Sequence, residues 1–294
     1  MDEPSPVAPI RRRTFVEGLM LGCGGALLGG AAASAQTPAG ETPKPSPERP
    51  AGSKRDRKRR PFVLVHGAWH GGWCWRMVAQ RLRAAGHQVF TPTLTGLGER
   101  AHLLTPQTDL ETHITDITNL IITEELEEVV LVGHSYGGIV ITGVADRLPE
   151  ALAHVVFLDA LLIKPGDSAL SVQSPEFADS IRKLQAAGNL AGNPPPAKIL
   201  GIPEGDPLAA WVERRMTPQP LATLTQPLIL KRGGADSLPR VYIECVRPGL
   251  FGEVNPFAQR ARAEPGWTVA TLETGHDAMV TAPEALTRLL VQVG

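Results

Sequence analysis

The stretch "VVLVGHSYGG" carries the strongest chemical signal in the chain. Gly133-His134-Ser135-Tyr136-Gly137 fits G-x-S-x-G, directly after an apolar run and before a helical pattern. Small residues around Ser135 permit a sharp turn that lifts the hydroxyl clear of the backbone. The helix N-terminus behind it favours negative charge as it develops there. A serine hydroxyl is a weak nucleophile until a base takes its proton. Of the eight histidines, His276 in "ETGHDAM" suits that task, because it follows the last predicted strand in a glycine-flanked loop. Acyl transfer also needs donors for an oxyanion. The loop "VHGAWHGGW" follows the first predicted strand, which makes the backbone N–H groups of Ala68 and Tyr136 the expected pair. His66 and His70 in that loop are four residues apart, but off a helix and without a third ligand they do not make a zinc site. No metal is expected.

The elements that must position these residues are legible as a pattern. Six short apolar, β-branched runs read as strands: "FVLVHG", "HQVFTPTL", "EEVVLVGHS", "LAHVVFLDA", "RVYIECV" and "GWTVATLE". Their continuous apolar character suits strands buried on both faces, as in a parallel sheet. Helical patterns lie between them, at Trp75–Ala85, Leu110–Glu125, Gly137–Arg147, Asn255–Ala263 and Pro283–Val291. Such alternation predicts an α/β fold with crossover helices. Residues 161–228 break it, with "GNPPPAKILGIPEGDP", short helical patches and no convincing strand. That segment is expected to be a cap over the site, its Trp211, Leu and Pro residues building an apolar pocket.

The first 60 residues have a different texture. "RRRTFVEGLMLG" resembles a twin-arginine export signal, with Arg12-Arg13 ahead of Phe15 and Val16. A Gly/Ala-rich apolar run and "AAASAQ" follow, so residues 1–35 are expected to be a signal peptide cleaved before Gln36. The expected location is periplasmic or secreted, with no stable membrane span after cleavage. Residues 36–60 hold five prolines and a net charge of +5, the composition of a disordered linker. Residues 61–294 then carry a net charge of −6, which argues against nucleic acid as a partner. Removal of Cys23 with the signal leaves Cys74 and Cys245, both in apolar contexts and expected to be buried free thiols.

Residues 61–294 resemble the α/β-hydrolase superfamily. Within it they are most similar to the plant methylesterase and hydroxynitrile lyase group, with its bacterial pyrethroid-hydrolase and small-esterase relatives. "FVLVHGAWHGGWCW", "TPTLTGLGER", "LVGHSYGG", "VFLDA", "VYIEC" and "GHDAM" carry the resemblance, in that order. It implies a mostly parallel central sheet flanked by helices, with a helical cap inserted after the sixth strand. It also implies a Ser-His-acid hydrolase without metal or organic cofactor, acting on a small-molecule ester. In the lyases a threonine follows the oxyanion-loop histidine and a lysine follows the catalytic histidine. Here those positions hold Gly67 and Asp277, which favours ester hydrolysis over cyanide release.

One departure from the family concerns the acid. The resemblance places it three residues beyond the cysteine of "VYIEC", where this chain has Pro248. Asp159 in "VVFLDA" is the preferred replacement. It lies 24 residues after Ser135, at the end of the neighbouring strand, a position that one subgroup of haloalkane dehalogenases uses. Glu244 and Glu253 on either side of Pro248 are the alternatives, and the absence of any acid is a third reading. The expected activity is carboxylic-ester hydrolysis through an acyl-enzyme on small to medium hydrophobic esters, pyrethroid-like compounds included. A hydroxynitrile-type lyase and a non-catalytic ligand-binding homologue are the rivals. The oligomeric state is not readable.

Overall fold

The computed structural model describes residues 59–247, 250–251 and 254–294. The signal-peptide reading of residues 1–35, and the linker reading apart from Arg59 and Arg60, lie outside the described residues.

All six runs read as strands are strands, and they form one parallel sheet. In chain order β1 is Phe62–Val65, β2 Val89–Phe90, β3 Val129–His134 and β4 Leu152–Leu158. The cap follows, with two-residue strands β5 (Ala191–Gly192) and β6 (Gln219–Pro220). After it come β7 (Arg240–Cys245) and β8 (Trp267–Leu272). The sheet order is β2-β1-β3-β4-β7-β8, with every neighbouring pair parallel. Helices α1 (Arg76–Ala84), α2 (Leu110–Thr123) and α3 (Gly137–Arg147) make the first crossovers. The cap contributes α4 (Pro175–Ala186), α5 (Pro207–Glu213) and α6 (Leu221–Thr225). Helices α7 (Pro256–Ala263), α8 (Ala278–Thr281) and α9 (Pro283–Val293) complete the chain.

Burial on both faces explains the unbroken apolar strands. Val63, Val65, Leu131, Val155 and Phe157 pack with Ile114 and Ile117 of α2 and Ile139 and Val140 of α3. Phe62, Leu64, Val130, Val132, Val156 and Leu158 pack on the other face with Val78 and Leu82 of α1 and Leu286 and Leu290 of α9. Side chains alternate along a strand, so the central runs β1 and β3 must be apolar at nearly every position to fill both layers. Cys74 and Cys245 are buried and free. No helix among the described residues is long and apolar enough to cross a membrane.

Two expectations need correction. The cap leaves the sheet after its fourth strand, not a sixth, because only four described sheet strands precede it. The cap also holds a strand pair, β5 against β6, antiparallel. Two-residue strands are too short to show a sequence period, and β6 ends on a proline at the edge of its pair.

Candidate active site

Ser135 and Asp159 occupy equivalent places, just beyond the C-terminal ends of the adjacent strands β3 and β4. Both have left-handed backbones, φ 53° at Ser135 and 41° at Asp159. Residues with a side chain pay on the order of 1 kcal/mol or more there, so the surroundings must hold them. Ser135 N–H donates to the Leu158 carbonyl at 3.2 Å, and its own carbonyl accepts from Gly138 and Leu161 at 3.0 and 3.1 Å. Asp159 N–H donates to the Ile243 carbonyl at 2.8 Å. The turn is also tight: a Cβ at Gly133 would lie 2.6 Å from the Gly137 carbonyl oxygen, so only glycine fits.

The structure brings Asp159 to His276. The ring Nδ1–H donates to Asp159 Oδ2 at 2.6 Å, with the imidazole 1% and the aspartate side chain 5% exposed. Asp159 Oδ1 accepts from Asn255 Nδ2 at 2.8 Å and from the Cys245 N–H at 3.4 Å. Both carboxylate oxygens are thereby engaged, which fixes the ring. His276 Nε2 is buried and has no hydrogen-bond partner among the described residues. With the proton on Nδ1, that nitrogen carries the lone pair a general base needs. The Phe251 ring meets the imidazole edge-on at 5.3 Å. Glu244 instead pairs with Arg262. Glu253 and Pro248 lie outside the described residues.

Ala68, Tyr136 and Ser135 line one cavity of about 260 Å³, together with Trp69 and, from the cap, Leu170, Phe177 and Leu224. No hydrogen bond among the described residues uses the N–H of Ala68 or of Tyr136. The Tyr136 phenol donates to His113 Nδ1 at 3.0 Å, because His113 Nε2–H is spent on the Thr95 carbonyl at 2.8 Å. Burial draws His113 down to about 4, so the ring is neutral at physiological pH and can accept. The expected pocket residue Trp211 is elsewhere. Its ring packs edge-on against Trp73 at 5.2 Å and under the Arg215 guanidinium.

A second histidine–aspartate pair stands behind the first. His70 Nε2 donates to Asp277 Oδ2 at 3.1 Å, and its Nδ1 donates to the Ala68 carbonyl at 2.8 Å. Donation from both nitrogens requires an imidazolium. Burial works against that charge, but Asp277 outweighs it and His70 is raised. Burial likewise opposes ionisation of Asp277, and the surrounding rings, His70 first, hold its carboxyl below the usual range. His66 is spent differently: Nδ1 donates to the Gly67 carbonyl at 2.8 Å and Nε2 accepts from Leu94 N–H at 3.0 Å. Burial pulls His66 down to about 3. Sequence reasoning missed Asn255, visible only as a helix start, and the His70–Asp277 pair. Their signals were an Asn-Pro at a helix N-terminus and an acid next to the chosen histidine.

A parallel sheet with a serine elbow ending β3, an acid at the end of the adjacent β4 and a histidine in the loop after the edge strand β8 defines an α/β-hydrolase arrangement. Residues 62–289 match the alpha/beta hydrolase family, and the chain belongs to it. A carbendazim hydrolyzing esterase of Nocardioides sp. (strain SG-4G) is 43% identical over 79% of this chain and 99% of its own length. Methyl jasmonate esterase 1 of Vitis vinifera is 30% identical over 67% of this chain and 82% of its own. These relatives place the chain in the methylesterase-like group. Among solved structures, an extracellular alpha/beta-hydrolase from a Paenibacillus species superposes with a TM-score of 0.72. It is 24% identical and is matched over 80% of this chain and 99% of that one, a likeness of fold.

Proposed function

We propose that this esterase-type hydrolase cleaves small, largely apolar carboxylic esters through an acyl-enzyme on Ser135. The observation that carries the reading is the buried 2.6 Å hydrogen bond between His276 Nδ1 and Asp159, which leaves Nε2 unspent. The centroid of that ring lies 4.5 Å from that of His134, the residue before Ser135. In this reading Nε2 takes the Ser135 proton as Oγ attacks the ester carbonyl. The N–H groups of Ala68 and Tyr136 hold the tetrahedral oxyanion, each contributing ~3 kcal/mol in the transition state. His276 then protonates the departing alcohol and activates a water that releases the acid. Asp159 keeps the tautomer and stabilises the imidazolium without itself taking the proton. The cavity of about 260 Å³, lined by Leu161, Leu170, Phe177 and Leu224, suits an apolar acyl or alkoxy group.

Gly67 argues against the lyase alternative. A Cβ there would lie 2.9 Å from Ser135 Cβ and from His134 Nδ1, so no threonine fits. Asp277, where the lyases have a lysine, offers no free cation to a departing cyanide. The test is steady-state hydrolysis of p-nitrophenyl acetate and butyrate, methyl jasmonate and carbendazim, with Ser135→Ala as control. Turnover is expected for the wild type and none above background for Ser135→Ala. Cyanide release from mandelonitrile without ester turnover would overturn the reading. A nitrophenol burst with no steady rate would mean a binder. We also propose export of the mature chain, supported by the sequence of residues 1–35 alone. Replacing Arg12-Arg13 by Lys-Lys is expected to trap the protein in the cytoplasm on fractionation.

A further inference from the structure

The cap touches the oxyanion loop through one residue whose orientation the structure fixes completely. Gln219, in β6, is fully buried. Its Oε1 accepts the Trp69 N–H at 3.0 Å, across 150 residues of sequence. Its Nε2 donates to Thr223 Oγ1 at 2.7 Å. The Thr223 hydroxyl donates its single proton to the Pro220 carbonyl at 2.6 Å, so it can only accept from Gln219. The amide therefore has one allowed orientation, with its carbonyl toward Trp69. Thr217 makes a second tie, its N–H donating to the Trp69 carbonyl at 2.9 Å. These bonds hold Trp69 at φ 64°, in the left-handed region that a tryptophan adopts only under constraint.

Trp69 follows Ala68, whose N–H is unspent and which lines the same cavity as Ser135. The peptide joining Ala68 to Trp69 sits between two anchors. Its carbonyl oxygen is held by His70, and the nitrogen that closes it is held by Gln219. The Ala68 N–H lies in the preceding plane, whose Gly67 carbonyl is held by His66 Nδ1 at 2.8 Å. Anchoring the next plane therefore leaves only the two dihedrals of Ala68 between two fixed planes. We infer that Gln219 is a positioning residue for the oxyanion hole: the cap aims the Ala68 N–H as well as covering the pocket. It touches no reacting atom. This inference rests on the proposed role of Ala68 as an oxyanion donor. Its consequence is that a cap displaced from the loop disarms the hole, so that tetrahedral chemistry requires the cap in place.

The test compares Gln219→Leu, Gln219→Glu and Thr223→Val in the mature protein. Ester turnover is measured together with affinity for a trifluoromethyl ketone, which forms a tetrahedral adduct with the serine. The matching methyl carbinol, which does not, serves as the ground-state probe. Losing an oxyanion donor outright costs roughly a hundredfold to a thousandfold, so misaiming one is expected to cost about tenfold to a hundredfold in kcat. Gln219→Leu should show that loss with KM within about threefold and an equal loss of ketone affinity, while carbinol affinity stays put. Gln219→Glu keeps an acceptor for the Trp69 N–H but, once ionised, no donor for Thr223, and should retain more activity than Gln219→Leu. Thr223→Val leaves the amide free to flip and should give a smaller loss of the same kind. It serves as the deciding variant if Gln219→Leu does not fold. Folded variants with unchanged kcat and ketone affinity would overturn the inference, as would equal losses for ketone and carbinol. If the wild type lacks Ser135-dependent turnover, the esterase reading fails first, and that result is distinguishable from either.

Discussion

Two buried histidine–aspartate pairs share one loop, and they are built for different work. His276 bonds Asp159, while its sequence neighbour Asp277 bonds His70 in another direction. Both pairs are almost wholly shielded from water. The difference lies in the second ring nitrogen. His276 Nε2 is unspent, whereas His70 gives both N–H groups away, one to Asp277 and one to the Ala68 carbonyl. A histidine with a lone pair to offer can move a proton. A histidine locked as an imidazolium can only hold parts together. Proximity of histidine to carboxylate therefore says little about catalysis until the other nitrogen is accounted for.

Breaking the first pair should give the largest effect. Asp159→Asn is expected to lower kcat by about 10⁴ with little change in KM, measured by steady-state ester hydrolysis on protein checked by circular dichroism. If Asp159→Asn retains full activity, the acid lies elsewhere. Breaking the second pair should show in stability before catalysis. Asp277→Asn leaves a buried imidazole without its counter-charge, a loss on the order of 3 kcal/mol in denaturant unfolding. Its pH dependence has a defined shape. His70 is raised, so its contribution is complete below its ordinary 6.5 and fades as pH climbs through the raised value. Asp277 is lowered, so its contribution is complete above its ordinary 3.8 and fades as pH falls through the lowered value. The penalty should therefore peak between those ordinary values and shrink on either side.

Smaller changes sharpen the contrast. Asn255→Ala removes both a donor to Asp159 Oδ1 and the cap of α7, where its own Oδ1 accepts from the Phe257 and Ala258 N–H groups. A fall of about 1 kcal/mol in unfolding free energy is expected, with kcat reduced about tenfold. Glu244→Gln should be nearly silent in activity assays, and within about 0.5 kcal/mol in stability, because its ion pair with Arg262 stands apart from His276. A large loss of turnover there would revive Glu244 as the acid.

Much of this arrangement is legible in the amino-acid sequence. The central strands β1 and β3, and most of β4, announce themselves because burial on both faces forces apolar residues at nearly every position. Ser135 and His276 stand out because a turn after a strand has few compatible sequences. The carboxylate that meets His276 was the preferred candidate beside Glu244 and Glu253, reached from adjacent strand ends and the resemblance to one haloalkane dehalogenase subgroup. What stayed hidden were partnerships between distant segments. His70 and Asp277 are 207 residues apart, and Gln219 reaches Trp69 across 150. Neither has a local pattern, because each bond depends on how the cap and loops settle on the finished sheet. The β5–β6 pair was invisible for the opposite reason, having too few residues to show any pattern.

Supplying that carboxylate from the end of β4 also changes what the chain after β7 is free to become. Leu250, in that segment, lines the pocket, and no described residue between Val246 and Val254 contributes a charged group to His276. Leu250 shapes the pocket wall and takes no part in the hydrogen bond between His276 and Asp159, which makes it a natural place to diversify. Libraries built at Leu250 would reshape the cavity wall while keeping the His276–Asp159 hydrogen bond.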